Sequence, residues 1–137
     1  MKIFVSGQIL DTVYVHSVQK RLRDAGHKIT HDWTVNETGE KMLATIEDKL
    51  KDVTETSRRA QLDIDGVINA DAYVICTNNT TAGKGMYVEL GAALALYETR
   101  GKPRIFVLGE MQHMTVFYFH PAVTHVKTID ELIKQLA

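Results

Sequence analysis

Asp71-Ala72-Tyr73-Val74-Ile75-Cys76-Thr77 is followed by a polar loop over 78–84, and then by Gly85-Met86-Tyr87-Val88-Glu89-Leu90-Gly91-Ala92-Ala93-Leu94-Ala95-Leu96-Tyr97. The first run is apolar on both faces, the pattern of a central strand in a parallel sheet. In the second run the period becomes helical: Met86, Leu90, Ala93, Leu94 and Tyr97 form one stripe. Strand, loop and helix in that order predict a βα unit. Within this helix Glu89 is the one charged residue between Gly85 and Tyr97, and the helical period puts it inside the apolar arc, between the directions of Ala93 and Leu96. An unpaired carboxylate facing a core is costly, so a chain that keeps one there uses it. Glu89 is therefore the first candidate site residue. The alternative is an acid in a first helical turn, favoured by the helix dipole. That accounts for its place along the helix but not for the face it occupies.

The same alternation of strand and helix extends in both directions. Ile3-Phe4-Val5, ending at Ser6-Gly7, reads as a buried strand and turn. Val15, Val18, Leu22 and Ala25 recur at helical spacing, with Asp11 or Thr12 as cap and Gly26 as stop. Lys28-Ile29-Thr30-His31-Asp32-Trp33 alternates and predicts a second strand with Trp33 at its end. After a polar loop over 35–40, Met42, Ile46, Leu50 and Val53, then Ala60, Ile64 and Val67 or Ile68, predict two helices or one interrupted helix, whose charges are read as a solvated face. Beyond the central βα unit come a turn at Gly101-Lys102-Pro103 and a buried strand over Arg104-Ile105-Phe106-Val107-Leu108. An irregular segment rich in Met and aromatics follows over 110–120. A short edge strand over Thr124-His125-Val126-Lys127 comes next, and a capping box at Thr128-Ile129-Asp130-Glu131 opens a last helix.

This order predicts one domain, residues 1–137, of the α/β class: a flavodoxin- or Rossmann-like parallel sheet of about five strands with helices on both faces. Ligands of such sheets bind beyond the carboxyl ends of the strands, near the switch in strand order. Those ends are Ser6-Gly7-Gln8, Trp33, the segment 77–85, and Gly109 onward. Glu89, early in the helix after the third strand, falls at that mouth.

Composition narrows the function. Of the 137 residues 45% are hydrophobic and 24% charged, and the net charge is −1 without a basic run, so nothing favours binding to nucleic acid. No apolar stretch is long enough to span a bilayer, and the opening residues read as a strand and not as a signal peptide. The single cysteine, Cys76, excludes an internal disulfide, fits a reducing cytosol, and lies in an apolar run as a core thiol. Neither a dinucleotide-binding glycine turn, nor a phosphate-binding P-loop, nor a nucleophile elbow is present. The six histidines lack metal-ligand spacing; no metal and no cofactor is expected, and His113, His120 and His125 read as loop or surface residues. A second acid, Asp71, precedes the central strand. It is equally a turn residue between helix and strand or a partner for Glu89. Two carboxylates in different surroundings suit glycosidic chemistry.

The segments Asn69-Ala70-Asp71-Ala72-Tyr73-Val74 and Gly85-Met86-Tyr87-Val88-Glu89-Leu90-Gly91-Ala92-Ala93, with the opening Phe4-Val5-Ser6-Gly7, resemble the nucleoside 2-deoxyribosyltransferase family, which includes deoxynucleoside 5'-monophosphate N-glycosidases. The resemblance runs along nearly the whole chain. It implies that Glu89 attacks the anomeric carbon of a (deoxy)ribonucleoside or nucleotide and forms a glycosyl-enzyme ester, which a second base or water resolves with net retention. By the same resemblance Asp71 is the second acid. Ser6 and Gly7 belong to the substrate turn, and Gly83 and Gly85 to a loop whose backbone approaches the sugar or a 5'-phosphate. Tyr14 is an aromatic near the first turn that contacts substrate, or else a partly exposed helix residue. Trp33 stacks on the base, or else serves the core or its rim. The family's shared sites imply a homodimer or larger, with 111–120 reaching across. One departure is plain: the nucleotide-cleaving relatives carry an Arg-Gly-rich turn after the first strand, where this chain has Gln8-Ile9-Leu10.

Two other readings compete. One is an NAD-cleaving enzyme of the Toll/interleukin-receptor type, which also sets a Glu on a helix near the sheet mouth; nicotinamide release separates it. The other is a nucleotide-binding sensor without catalysis, for which ligand binding is indifferent to Glu89→Gln.

Overall fold

The computed structural model describes residues 1–36, 43 and 45–137. The strands are β1 (Lys2–Ser6), β2 (Lys28–Ile29), β3 (Ala72–Cys76), β4 (Arg104–Leu108) and β5 (Val123–Val126). The helices are α1 (Thr12–Asp24), α2 (Ile46–Lys51), α3 (Val53–Ile68), α4 (Lys84–Arg100) and α5 (Ile129–Leu136). Every strand pairing is parallel and the order is β2-β1-β3-β4-β5. The chain steps outward from β1 to β2, then crosses back to β3, so the switch in strand order lies between β1 and β3.

Register follows from burial. All five residues of β3 are buried, as are four of five in β1 and in β4, so these central strands carry near-continuous apolar side chains. Phe4 stacks on Tyr73 across the β1–β3 pair. Helices α1 and α5 pack together, and α3 packs on α4. Right-handed crossovers put these two pairs on opposite faces of the sheet.

Two differences from the sequence reading have local causes. The second strand stops at Ile29. Asp32 then accepts from the Thr34 backbone N–H at 3.2 Å and from its hydroxyl, a turn that ends the strand and starts a 3-10 turn at Trp33. Glu89 lies in the second turn of α4, because the helix begins at Lys84 with Gly83 as its cap. The crossover from β4 to β5 is irregular, as the sequence predicts, with one 3-10 turn, Val116–Phe119; Tyr118 from this turn is buried while Val116, Phe117 and Phe119 stay exposed. Most of the loop expected over 35–40, and Met42, lie outside the described residues. Asp52 caps α3 immediately after α2, so the helical region between the second and third strands is two helices. Thr128 caps α5 as the sequence predicts, its hydroxyl accepting from the Glu131 N–H at 3.1 Å. Among the described residues no helix is long and apolar enough to cross a membrane.

Candidate active site

Glu89 is held from below. The Ser6 hydroxyl, at the last position of β1, donates to Glu89 Oε1 at 2.7 Å. Tyr73 on β3 donates its hydroxyl to the Met86 carbonyl of α4 at 3.2 Å, which fixes the first turn of that helix over the sheet. Above the carboxylate is a cavity of about 160 Å³ lined by Gly7, Ile9, Trp33, Asp63, Gly83, Lys84, Gly85, Met86 and Glu89. It opens between β1 and β3, where the topology puts a ligand site. It adjoins an outer chamber of about 520 Å³ that shares Ile9, Asp63, Lys84 and Gly85 and adds Leu43, Lys49, Thr56, Arg59 and Ala60.

The backbone around the inner cavity is close-fitting. A Cβ on Gly7 would come within 2.5 Å of Val15 Cγ2, and one on Gly83 within 3.2 Å of Gln8 Cγ. A Cβ on Gly85 would meet nothing within 4 Å, so Gly85 faces open cavity and leaves its backbone reachable. Gln8 ties the turn after β1 to the loop before α4: its amide donates to the Thr81 carbonyl at 2.9 Å and to the Thr81 hydroxyl at 2.5 Å, and its oxygen accepts from Leu10 N at 3.3 Å. The Trp33 indole donates to the Val5 carbonyl at 2.8 Å, which sets the largely buried ring at the cavity wall.

Burial in this apolar setting pushes the Glu89 carboxyl up to about 8; the charge of Asp63 adds to the rise and the Ser6 hydrogen bond opposes it. The helix end, one turn further away than the sequence suggested, does not offset burial. Asp63 approaches His31, with Oδ1 3.6 Å from Nε2. Burial lowers the pKa of that imidazole, so it is neutral at pH 7. Two acids thus share one cavity, and with the Glu89 carboxyl raised to about 8 the site keeps a proton near neutrality.

The structure therefore brings together Glu89, Ser6, Gly7, Trp33, Gly83 and Gly85. It does not bring Asp71 or Tyr14 to them. Asp71 stands at the amino end of β3, where its carboxylate accepts from the Lys2 N–H at 2.8 Å. Lys2 and Ser6 are four residues apart on β1, so the anchors of the two acids are separated by about 13 Å along the strand. Asp71 is the turn residue, and Asp63 is the acid beside Glu89. Tyr14 is on α1, half-buried against the core, its hydroxyl pKa raised by burial and by the nearby Cys76 and Asp11 groups; it does not line the cavity. Asp63 was legible in principle. Ala60, Asp63, Ile64 and Val67 follow the i, i+3, i+4, i+7 rule, so Asp63 is a carboxylate on an apolar face, as Glu89 is.

Among the described residues no group of three or more His, Cys, Asp or Glu side chains could hold a metal ion. No protein-family model and no curated protein sequence matches the chain. Solved structures of the same fold do. A CMP N-glycosidase from Clostridium botulinum, BcmB, is similar over 99% of this chain and 98% of its own, with TM-score 0.62 and 14% identity. A conserved protein from Enterococcus faecalis V583 is similar over 100% and 99%, with TM-score 0.64 and 14% identity. At this identity the likeness is one of fold.

Proposed function

We propose that this protein cleaves the N-glycosidic bond of a (deoxy)ribonucleoside or nucleotide, with Glu89 as nucleophile and Asp63 as its acid partner. The observation that carries the reading is the placement of Glu89 on Ser6, opposite Asp63, in a cavity at the β1–β3 switch. The fold shared with a CMP N-glycosidase supports it. The C1'–N bond breaks as Glu89 oxygen bonds to C1', and the proton kept by the Glu89–Asp63 pair passes to the leaving base. The acceptor, water or a second base, then attacks C1' of the glycosyl ester, returns one proton to the pair and frees the carboxylate. Two displacements give net retention. Trp33 stacks on the base or closes over the sugar, and Gly83 and Gly85 let the backbone approach it.

A homodimer or larger assembly belongs to the same proposal. Met114, Val116, Phe117 and Phe119 are exposed, as is Val88 on α4, and Phe117 joins Tyr87, Leu90 and Leu94 in lining an apolar hollow of about 270 Å³. A second copy covering this strip would bury it. A reducing cytosol is consistent with the free, buried Cys76.

Chromatography of products from a panel of nucleosides and 5'-monophosphates, with and without a second free base, tests the reading. Free base without added acceptor marks a hydrolase; a new nucleoside only with acceptor marks a transferase. No base release from any member rejects the proposal, and nicotinamide release from NAD would replace it.

A further inference from the structure

Negative charge on the substrate has no partner in the turn after β1. Gln8 is committed to Thr81 and Leu10, Ile9 is apolar, and Leu10 is exposed to solvent. The cations that line the cleft come from elsewhere: Lys49 on α2, Arg59 on α3 and Lys84 at the start of α4 all face the outer chamber. Arg59 lies one helical turn from Asp63, about 6 Å along the axis, and its side chain is 11% exposed while Glu55 accepts from its Nε at 3.0 Å. Glu55 is shared, since it also takes both a 2.8 Å and a 2.7 Å bond from Arg58. Lys49 and Lys84 have no ion-pair partner among the described residues. A guanidinium braced by a carboxylate and two ammonium groups around one chamber form a site for an oxyanion.

We propose that this wall, Lys49, Arg59 and Lys84, reads an anionic group of the substrate, a phosphate or a carboxylate, and so sets the enzyme's preference for charged over neutral nucleosides. The inference rests on the N-glycosidase reading for its substrate and on the chamber for its chemistry. The sugar occupies the inner cavity at Glu89, and the anion projects past Asp63 into the larger chamber. Recognition has moved from the first βα turn to the α2–α3 wall.

The test compares kcat/KM for a nucleoside, its 5'-monophosphate, its 5'-diphosphate, and orotidine, whose base carries the carboxylate. In the native protein at least one anionic member exceeds its neutral parent, by about tenfold or more. Lys49→Gln and Arg59→Gln each lower that anionic-to-neutral ratio by about tenfold, and raised salt lowers it as well. The preferred member shows whether the anion is on the sugar or on the base. Because Arg59→Gln removes a partner of Glu55, Lys49→Gln on the flexible side chain is the variant that separates recognition from folding. No preference for any anionic member, or a preference that survives both substitutions, overturns the proposal while leaving cleavage intact. If no member is cleaved, calorimetric binding of the same compounds decides: anion-dependent binding weakened in Lys49→Gln keeps the wall and rejects the glycosidase reading, and binding indifferent to charge rejects the wall.

Discussion

The hydroxyl of Ser6 donates to Glu89 Oε1 at 2.7 Å, joining the last residue of β1 to the second turn of α4. It stabilises the ionised carboxylate against burial, which otherwise drives Glu89 towards the acid form. In the proposed mechanism Glu89 must be ionised while its partner holds the proton. The free enzyme's kcat/KM should therefore fall above pH about 8, as the pair loses that proton. Ser6→Ala moves this alkaline limb to higher pH, since Glu89 then holds the proton more tightly, and lowers the rate near neutrality by about tenfold. A pH–rate profile of the two proteins checks both.

Stability responds to Glu89 in the opposite sense to activity. The folded carboxyl titrates near 8 and the unfolded one near 4.5, so the folded state binds more protons between these values. Stability is fully present below about 4.5 and is lost as pH rises through about 8. Glu89→Gln removes this dependence. It should be more stable than the native protein by roughly 4 kcal/mol at pH 8, and the gap should close below pH 4.5. Thermal denaturation at a series of pH values measures it.

Asp63 and Asp71 make opposite predictions. Asp63→Asn removes the like charge that raises Glu89, so Glu89 ionises at lower pH and the pair has no proton for the leaving base. The alkaline limb moves down, kcat falls by about a hundredfold, and substrates with a better leaving base recover part of the loss. Asp71→Asn removes an acceptor for the Lys2 N–H, so it costs about 0.5–1.5 kcal/mol of stability and leaves base release at its native level. Steady-state kinetics and denaturant titration of the two variants separate the roles.

Gly7 is needed for space. Its Cβ would sit 2.5 Å from Val15 Cγ2, so Gly7→Ala forces α1 away from the end of β1. The expected cost is about 1–3 kcal/mol, and the displacement of the turn that lines the cavity lowers kcat/KM as well. Chemical denaturation and kinetics on the same preparation report the two effects.

The sequence made the fold legible wherever burial imposed a period. The runs over β3 and β4 are apolar on both faces, and α1 and α4 carry clean helical stripes. These segments alone define a parallel sheet with its mouth near Ser6 and Glu89. The end of β2 was not legible, because a side-chain turn by Asp32 and Thr34 overrides the alternating pattern through Trp33. Glu89 stood out because the rest of its helix is uncharged. Asp63 did not, because Arg58, Arg59 and Asp65 surround it in sequence and the segment reads as a charged, solvated face. Asp71 drew notice for being next to the central strand, but adjacency in sequence put it at the strand's wrong end.

The central claim is that Glu89 is the group that attacks the sugar. Release of free base from the panel's best substrate, followed by chromatography for the native protein and for Glu89→Gln at equal concentration, tests it most directly. The account predicts base release by the native protein and a fall of three or more powers of ten, on the order expected for a lost nucleophile, in Glu89→Gln, with the variant still folded and still binding substrate. Base release by Glu89→Gln at close to the native rate would contradict it.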